Sequence, residues 1–489
     1  MRNAVQLIAY ADRLGGDIPG LARLMRERFD GVFAGVHLLP FFTPFDGADA
    51  GFDPVDHTAV DPRLGTWADV GDLGRDHDTV VDVIVNHVSA GSAQFRDVLA
   101  RGASSPSYPM FLTMSSVFPE GATEKDLAAV YRPRPGLPFT PMTLGDERRL
   151  VWTTFTGAQV DIDVSAPQAQ YYLDAVLDAL AAAGVSLIRM DAVGYAVKTA
   201  GTSCFMTPET FAFIDRLTGR ARERGLEVLV EVHAHYQRQV EIGRLVDRVY
   251  DFALPPLVLH AAYTGDHEPL SHWMGVRPTN AVTVLDTHDG IGIIDVGADP
   301  AYGPGLLGPD QLAALVEGIH QHSGASRQAT GEAASNLDVY QVNSTFYDAL
   351  GRDDARYLAA RALQFFTPGI PQVYYVGALA GHNDVELLAQ TGVGRDINRH
   401  RYTATEIDAA LERPVVRALG ALARFRNTFD AFDGDFTFTP GDDAVTLAWR
   451  SAGHAELTVN LATGEASLTY GEQRTDDLLS DPPVTPGTS

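Results

Sequence analysis

The chain has 489 residues, a formal net charge of -26 and one cysteine, Cys204. That length exceeds one ordinary domain and predicts a large core with insertions and a small appendage. The charge excludes polyanionic partners, so neither nucleic acid nor an anionic membrane surface is expected. A single cysteine excludes an internal disulfide framework, leaving Cys204 as a packed thiol in a reducing compartment. The opening MRNAVQLIAYADRL meets charged residues after a short apolar run, and no long uncharged stretch follows, so a cytoplasmic protein without a membrane span is expected.

In chain order, apolar runs alternate with helical stretches: VQLIAY from Val5, GVHLLPFF from Gly35, TVVDVIVNH from Thr79 and VSLIRMDA from Val185. LEVLVEVH from Leu226, RVYDFAL from Arg248, AVTVLDTHD from Ala281 and GIPQVYYV from Gly369 complete eight. Runs this rich in Val, Ile and Leu suggest parallel strands buried on both faces, and eight strand–helix repeats close a (β/α)8 barrel, an α/β fold. A doubly wound open sheet is the rival, but it would show fewer strands and a Gly-rich phosphate loop. Two gaps are too long for simple crossovers and predict loop-rich insertions, 88–165 after strand three and 290–352 after strand seven. The barrel then comprises 1–87, 166–289 and 353–432. The final stretch, 433–489, alternates at strand spacing (DFTFT, AVTLAWRS, AELTVNLA, ASLTYG) and predicts a small antiparallel β-domain with a poorly ordered end.

Polar side chains at the carboxyl ends of buried strands are costly unless they are paired or used. In RMD, Arg189 and Asp191 are two apart and share one strand face, as do Glu231 and His233 in EVH. Strand seven ends in Thr287, His288 and Asp289, and strand three contributes Asp82, Asn86 and His87. Three convergent carboxylates suit glycosidic chemistry: one attacks the anomeric carbon, one protonates the leaving oxygen, one steadies developing positive charge. Asp191 is expected to be the nucleophile, its pKa lowered by Arg189. Glu231 is expected to be the acid/base, lacking such a neighbour, and Asp289 the stabiliser. A lone strand-end Asp is usually a cap or ion-pair partner, and Asp82 and Asn86 could equally be structural hydrogen-bonders behind the site.

The strings DVIVNH, RMDAVGY, EVHAHY and VLDTHD resemble the four signature regions of the α-amylase family (glycoside hydrolase family 13). Longer strings, PFDGADAGFDP, YRPRPGLPF, AASNLDVYQVN and GRDINRH, resemble the sucrose phosphorylases within it, over roughly residues 1 to 435. The resemblance implies a retaining glucosyltransferase that converts sucrose and inorganic phosphate to α-glucose 1-phosphate and fructose through a covalent β-glucosyl-enzyme. It implies a glucosyl pocket of Asp49, Phe52, His87, Gln159, Arg189, Tyr195, His288 and Arg395 around the carboxylates. For Asp49 and Arg395 the residues alone suggest only a surface ion pair.

Arg134, bracketed by prolines, and His233 are candidates for the phosphate site, a surface-loop arginine being the bland alternative for the former. The resemblance adds Tyr340, with Leu337, Asp338 and Gln341 on the second insertion as acceptor-site residues, Asp338 and Gln341 toward fructose. It also suggests a homodimer and no organic cofactor. Many amylases have a histidine four residues after the nucleophile that helps form a calcium site; Tyr195 stands here, so no metal is expected and Asn86 is expected to bond locally. Rival activities on the same fold are phosphorolysis of sucrose 6-phosphate, glucosylglycerol or glucosylglycerate, and sucrose hydrolysis or transglucosylation. A rival of another class is a non-catalytic binding barrel, which would lack at least one carboxylate.

Overall fold

A computed structural model of the chain describes residues 1–47, 49–133, 136–330 and 340–484. Eight parallel strands close a barrel: β1 (Gln6–Ala9), β2 (Gly35–Leu38), β3 (Asp78–Ile84), β4 (Leu187–Asp191), β5 (Glu227–Val230), β6 (Arg248–Asp251), β7 (Ala281–Thr283) and β8 (Ile370–Tyr374). Each strand pairs with the next in sequence, and β8 closes on β1. All eight fall on the predicted apolar runs. Two of the helices between them start at side-chain caps: Asp17 accepts from Gly20 N–H, and Thr66 and Asp69 form a capping box. Helix Pro167–Ala182 buries Leu173, Val176, Leu177 and Leu180 on one face, each contributing about 1.5–3 kcal/mol of apolar burial. Gly369 (φ 127) opens β8 where a Cβ would lie 2.3 Å from the Ala281 carbonyl oxygen, a position closed to any other residue.

The barrel interior carries a polar chain. Gln372 donates to Gln6 (2.8 Å), the Tyr250 hydroxyl donates to Gln372 (3.2 Å) and also meets His37 (3.2 Å), and His37 contacts Asp82 at 3.1 Å. Asp82 in turn accepts from Arg189, its register partner on the neighbouring strand. Buried polar groups are tolerable because each has such a partner.

Long excursions follow β3 and β7, each with helices and short strands among its loops. The first is pinned at its root by an antiparallel pairing of His87–Ser89 with Gln159–Asp161, and holds a hairpin of Phe139–Leu144 and Glu147–Trp152. The second contains helix Pro309–Ser323, and its strand Gln341–Val342 pairs with Ile291–Gly292. A third excursion, not foreseen, follows β2: Phe42–Thr43 pairs with Asp56–Val60, and the turn between them carries Asp49 and Phe52.

The C-terminal sheet has five antiparallel strands, β9 (Asp435–Pro440), β10 (Val445–Arg450), β11 (His454–Val459), β12 (Ala466–Tyr470) and β13 (Gln473–Thr475). The sequence pattern showed four; the fifth is only three residues long, too short to alternate visibly. Alternate residues of β10 to β12 face the barrel, and Trp449 donates to the Phe366 carbonyl at 2.6 Å. Of the predicted loose end, DPPVTPGTS from Asp481, residues 485–489 lie outside the described residues.

Candidate active site

The carboxyl ends of the strands open into a cavity of about 460 Å³ lined by Asp191, Glu231 and Asp289 together with Asp49, Phe52, His87, Gln159, Tyr195, His233, His288, Tyr340, Gln341 and Arg395. Asp191 ends β4, and Glu231 stands one residue beyond β5. Between them lies the buried Arg189 guanidinium, whose Nη1 donates to Asp191 Oδ1 at 3.1 Å while Nη2 lies 3.2 Å from Glu231 Oε1. Glu231 also accepts from Ala192 N–H at 3.1 Å. Ala192 has φ 55 and ψ 20, a left-handed conformation that a non-glycine residue holds only when its surroundings impose it, as they do at functional sites.

This geometry corrects the expected electrostatics. Glu231 does not lack an arginine: adjacent strands put two carboxylates on one guanidinium. Asp191 is not lowered either. Burial, then the Glu231 charge, push it well above the ordinary carboxylate range against the pull of Arg189. Asp191 therefore retains a proton beyond the usual carboxylate range. Asp289 behaves oppositely: burial alone would raise it, but Arg395, 2.9 Å away, holds it well below that range and fully ionised.

Around the carboxylates, Phe52 stacks on His288 with ring centroids 4.7 Å apart, and burial lowers His288 to about 3, keeping it neutral. His87 donates to the Phe52 carbonyl at 2.9 Å, with the Gln159 amide 3.1 Å from the same nitrogen; burial lowers His87 too. Arg395 stands 3.8 Å from Asp49, so the pair that looked like a surface bridge belongs to the cavity rim. Tyr195 packs against Phe155 (5.2 Å) and Phe205 (4.7 Å). His233, Tyr340 and Gln341 stand together, Gln341 3.2 Å from His233 Nε2 and the Tyr340 ring edge-on at 5.9 Å. Arg134, Leu337 and Asp338 lie outside the described residues.

Asp82 and Asn86 resolve as supports. Asp82 lies behind the site on Arg189 and His37; burial would raise it, yet the Arg189 charge and the contact with His37 leave it lowered to about 2. Asn86 bonds locally, accepting from the Lys198 ammonium at 2.9 Å. Lys198, one of only two lysines in the chain, also pairs with the fully buried Asp161 at 2.8 Å and donates to the Tyr195 carbonyl. It thus ties β3, the first insertion and the loop after Asp191 together. Lys198→Met strands Asp161 without its cation and is expected to cost about 3–5 kcal/mol, read as a fall in the urea midpoint at unchanged slope. A midpoint within error of wild type would show that the ammonium holds nothing together. Glu231, His233 and Asp289 offer atoms within 4.8 Å of one another, a spacing a cation could bridge. Arg395 already neutralises Asp289, and Arg189 serves Glu231.

The sequence reading missed Lys198, Phe155, Phe205 and Asp295, the last a carboxylate 2.9 Å from His233 Nδ1. A signal for Asp295 existed, since an acid inside the apolar string GIGIIDV must be paired if buried.

No family model matches the chain. It is 59% identical to the sucrose phosphorylase of Bifidobacterium adolescentis, covering 99% of this chain and 100% of that one, and 56% identical to the sucrose phosphorylase of Agrobacterium vitis, covering 96% and 97%. The glucosylglycerol phosphorylase of Marinobacter adhaerens is 39% identical, with 98% of each chain covered. The crystal structure of sucrose 6F-phosphate phosphorylase from Thermoanaerobacter thermosaccharolyticum superposes with a TM-score of 0.89 at 37% identity over 97% of each chain. An α-amylase from H. orenii, 15% identical with 94% and 90% covered, shares the fold at a TM-score of 0.68. With identities this high over nearly its whole length, and a closed eight-stranded barrel carrying three convergent carboxylates, the chain belongs to the sucrose phosphorylase family.

Proposed function

We propose that the protein is a sucrose phosphorylase, a glucosyltransferase that converts sucrose and inorganic phosphate to α-glucose 1-phosphate and fructose. The observation that carries this reading is the pair Asp191–Glu231 on one guanidinium opposite the ionised Asp289. Two carboxylates on one guanidinium support a retaining double displacement, whose acids stand about 5–5.5 Å apart with no room for a water between them. The glucosyl ring sits among Asp49, Phe52, His87, Gln159, Tyr195, His288 and Arg395. A glycosidic oxygen seated beside Glu231 draws the pair's proton to that side; Glu231 delivers it to the departing fructosyl oxygen as Asp191 attacks the anomeric carbon and forms a β-glucosyl ester. Asp289, fixed as an anion by Arg395, stabilises the oxocarbenium-like charge of both transition states.

Fructose then leaves, and phosphate enters near His233 and Tyr340. Gln341 is proposed to meet the fructosyl unit in the first step, and the family resemblance implies acceptor-site roles for Arg134, Leu337 and Asp338. Glu231, now a base, takes the phosphate proton, and the α configuration is restored by the second inversion. Because one proton must be present for the first step, kcat/KM for the donor falls as pH rises through the raised value of Asp191. The measured alkaline limb is expected above the ordinary carboxylate range of about 3.9 to 4.3; a limb within that range would contradict the raised Asp191.

A reducing compartment, the cytoplasm, suits the one free, buried cysteine, and a homodimer is what the family resemblance suggests, to be checked by sedimentation. Donor choice is tested by comparing kcat/KM with phosphate for sucrose, sucrose 6-phosphate, glucosylglycerol and glucosylglycerate. Sucrose is expected to lead, in line with 59% and 56% identity to sucrose phosphorylases against 39% to a glucosylglycerol phosphorylase. A higher value for another donor would reassign the substrate while keeping the chemistry.

A further inference from the structure

Asp295 is a fully buried acid that none of these steps employs. It lies in the short turn Ile294–Val296, just after the strand Ile291–Gly292. Its Oδ1 accepts from Ala234 N–H (3.2 Å) and from the Gln239 amide (3.1 Å), and its Oδ2 faces His233 Nδ1 at 2.9 Å. The imidazole lies flat on Phe252, with centroids 3.9 Å apart and planes 15° from parallel. Its free edge, Nε2, faces the cavity, 3.2 Å from the Gln341 amide and 3.9 Å from Glu231 Oε1. Even the backbone is pressed against the pair: a Cβ on Gly292 would sit 2.1 Å from Asp295 Oδ2 and 3.2 Å from His233 Nδ1.

Phosphate must enter a cavity that already holds four acids, Asp49, Asp191, Glu231 and Asp289, so a positive donor is needed where it sits. Among the described residues lining the cavity, the basic groups are His87, His233, His288 and Arg395. Burial keeps His87 and His288 neutral, and Arg395 is engaged by Asp289. His233 is left. The charged and titratable groups facing it are Asp295 from behind, Glu231 from the end of β5, Asp289 from the loop after β7 and Tyr340 from the second insertion.

We propose that Asp295 is a positioning residue that keeps His233 doubly protonated, with its Nε2–H aimed into the acceptor subsite, so that the glucosyl-enzyme prefers a phosphate anion to water. This rests on the phosphorylase reading above. Burial alone would strip the proton from His233, and Asp295, with smaller help from Glu231 and Asp289, reverses that and raises its pKa. The 3.2 Å contact of Gln341 with that Nε2 is made through the amide nitrogen, so a doubly protonated His233 requires the amide to turn its oxygen to the ring.

The test uses the full chain and the isosteric variant Asp295→Asn, with sucrose as donor and inorganic phosphate as acceptor. KM for phosphate is expected to rise about tenfold or more, the cost of one charge-assisted hydrogen bond. The share of glucosyl released as free glucose rises with it, while KM for sucrose moves by less than about threefold. Imidazole ¹⁵N titration should place His233 above about 6.5 in the wild type and lower in the variant. An unchanged phosphate KM, or a parallel loss in every parameter, overturns the role. A wild-type His233 titrating below about 6.5 overturns it even if the variant does not fold. A wild-type enzyme indifferent to phosphate sinks the functional reading itself, and that is seen before any variant is made.

Discussion

Asp191→Asn is expected to reduce sucrose turnover roughly 10⁴-fold or more, with the protein folded and at least as stable as the wild type at neutral pH. The loss follows from chemistry: an amide neither attacks the anomeric carbon nor forms an ester that phosphate can displace. The stability claim follows from the direction of the Asp191 shift. Its pKa is raised on folding by burial and by Glu231, so above the ordinary carboxylate range the ionised form works against the folded state. Asparagine keeps the shape, leaves Arg189 to Asp82 and Glu231, and removes one charge from a crowded pair. Activity and melting temperature measured on the same sample check both halves. Near wild-type turnover would remove the nucleophile assignment; a steep drop in melting temperature would show that the carboxylate is structural.

Glu231→Gln is expected to separate the two half-reactions. Fructose is a poor leaving group unless its oxygen is protonated, so turnover of sucrose should fall about 10²–10⁴-fold. An α-glucosyl fluoride needs no such proton, and with it the first step should stay close to wild type. The alkaline limb seen for sucrose should vanish with the proton that caused it. Equal losses on both donors would mean that Glu231 shapes the pocket and transfers no proton.

The barrel was legible because each of its eight strands is buried on both faces and reads as a short apolar run, while its inward polar residues recur two apart. Arg189 and Asp191 were visible in this way. What such spacing cannot show is which residue stands across from it: the sharing of Arg189 by Asp191 and Glu231 is a relation between neighbouring strands, so the expected low pKa of Asp191 was reversed. Asp49 and Phe52 ride on a short hairpin after β2 whose strand Phe42–Thr43 has two residues, below the length at which alternation registers. Family resemblance, and not periodicity, brought these two into view. Lys198 and Asp161 are far apart in sequence and meet only because His87–Ser89 pairs with Gln159–Asp161. Asp295 lay inside an apolar string, where its burial was readable but its partner was not.

The most direct measurement is a time course of ¹H and ³¹P NMR spectra on the purified protein with sucrose and inorganic phosphate. The account predicts α-glucose 1-phosphate as the first glucosyl product, in step with fructose and dependent on phosphate. Free glucose appearing at a phosphate-independent rate, or the β anomer as first product, would contradict it.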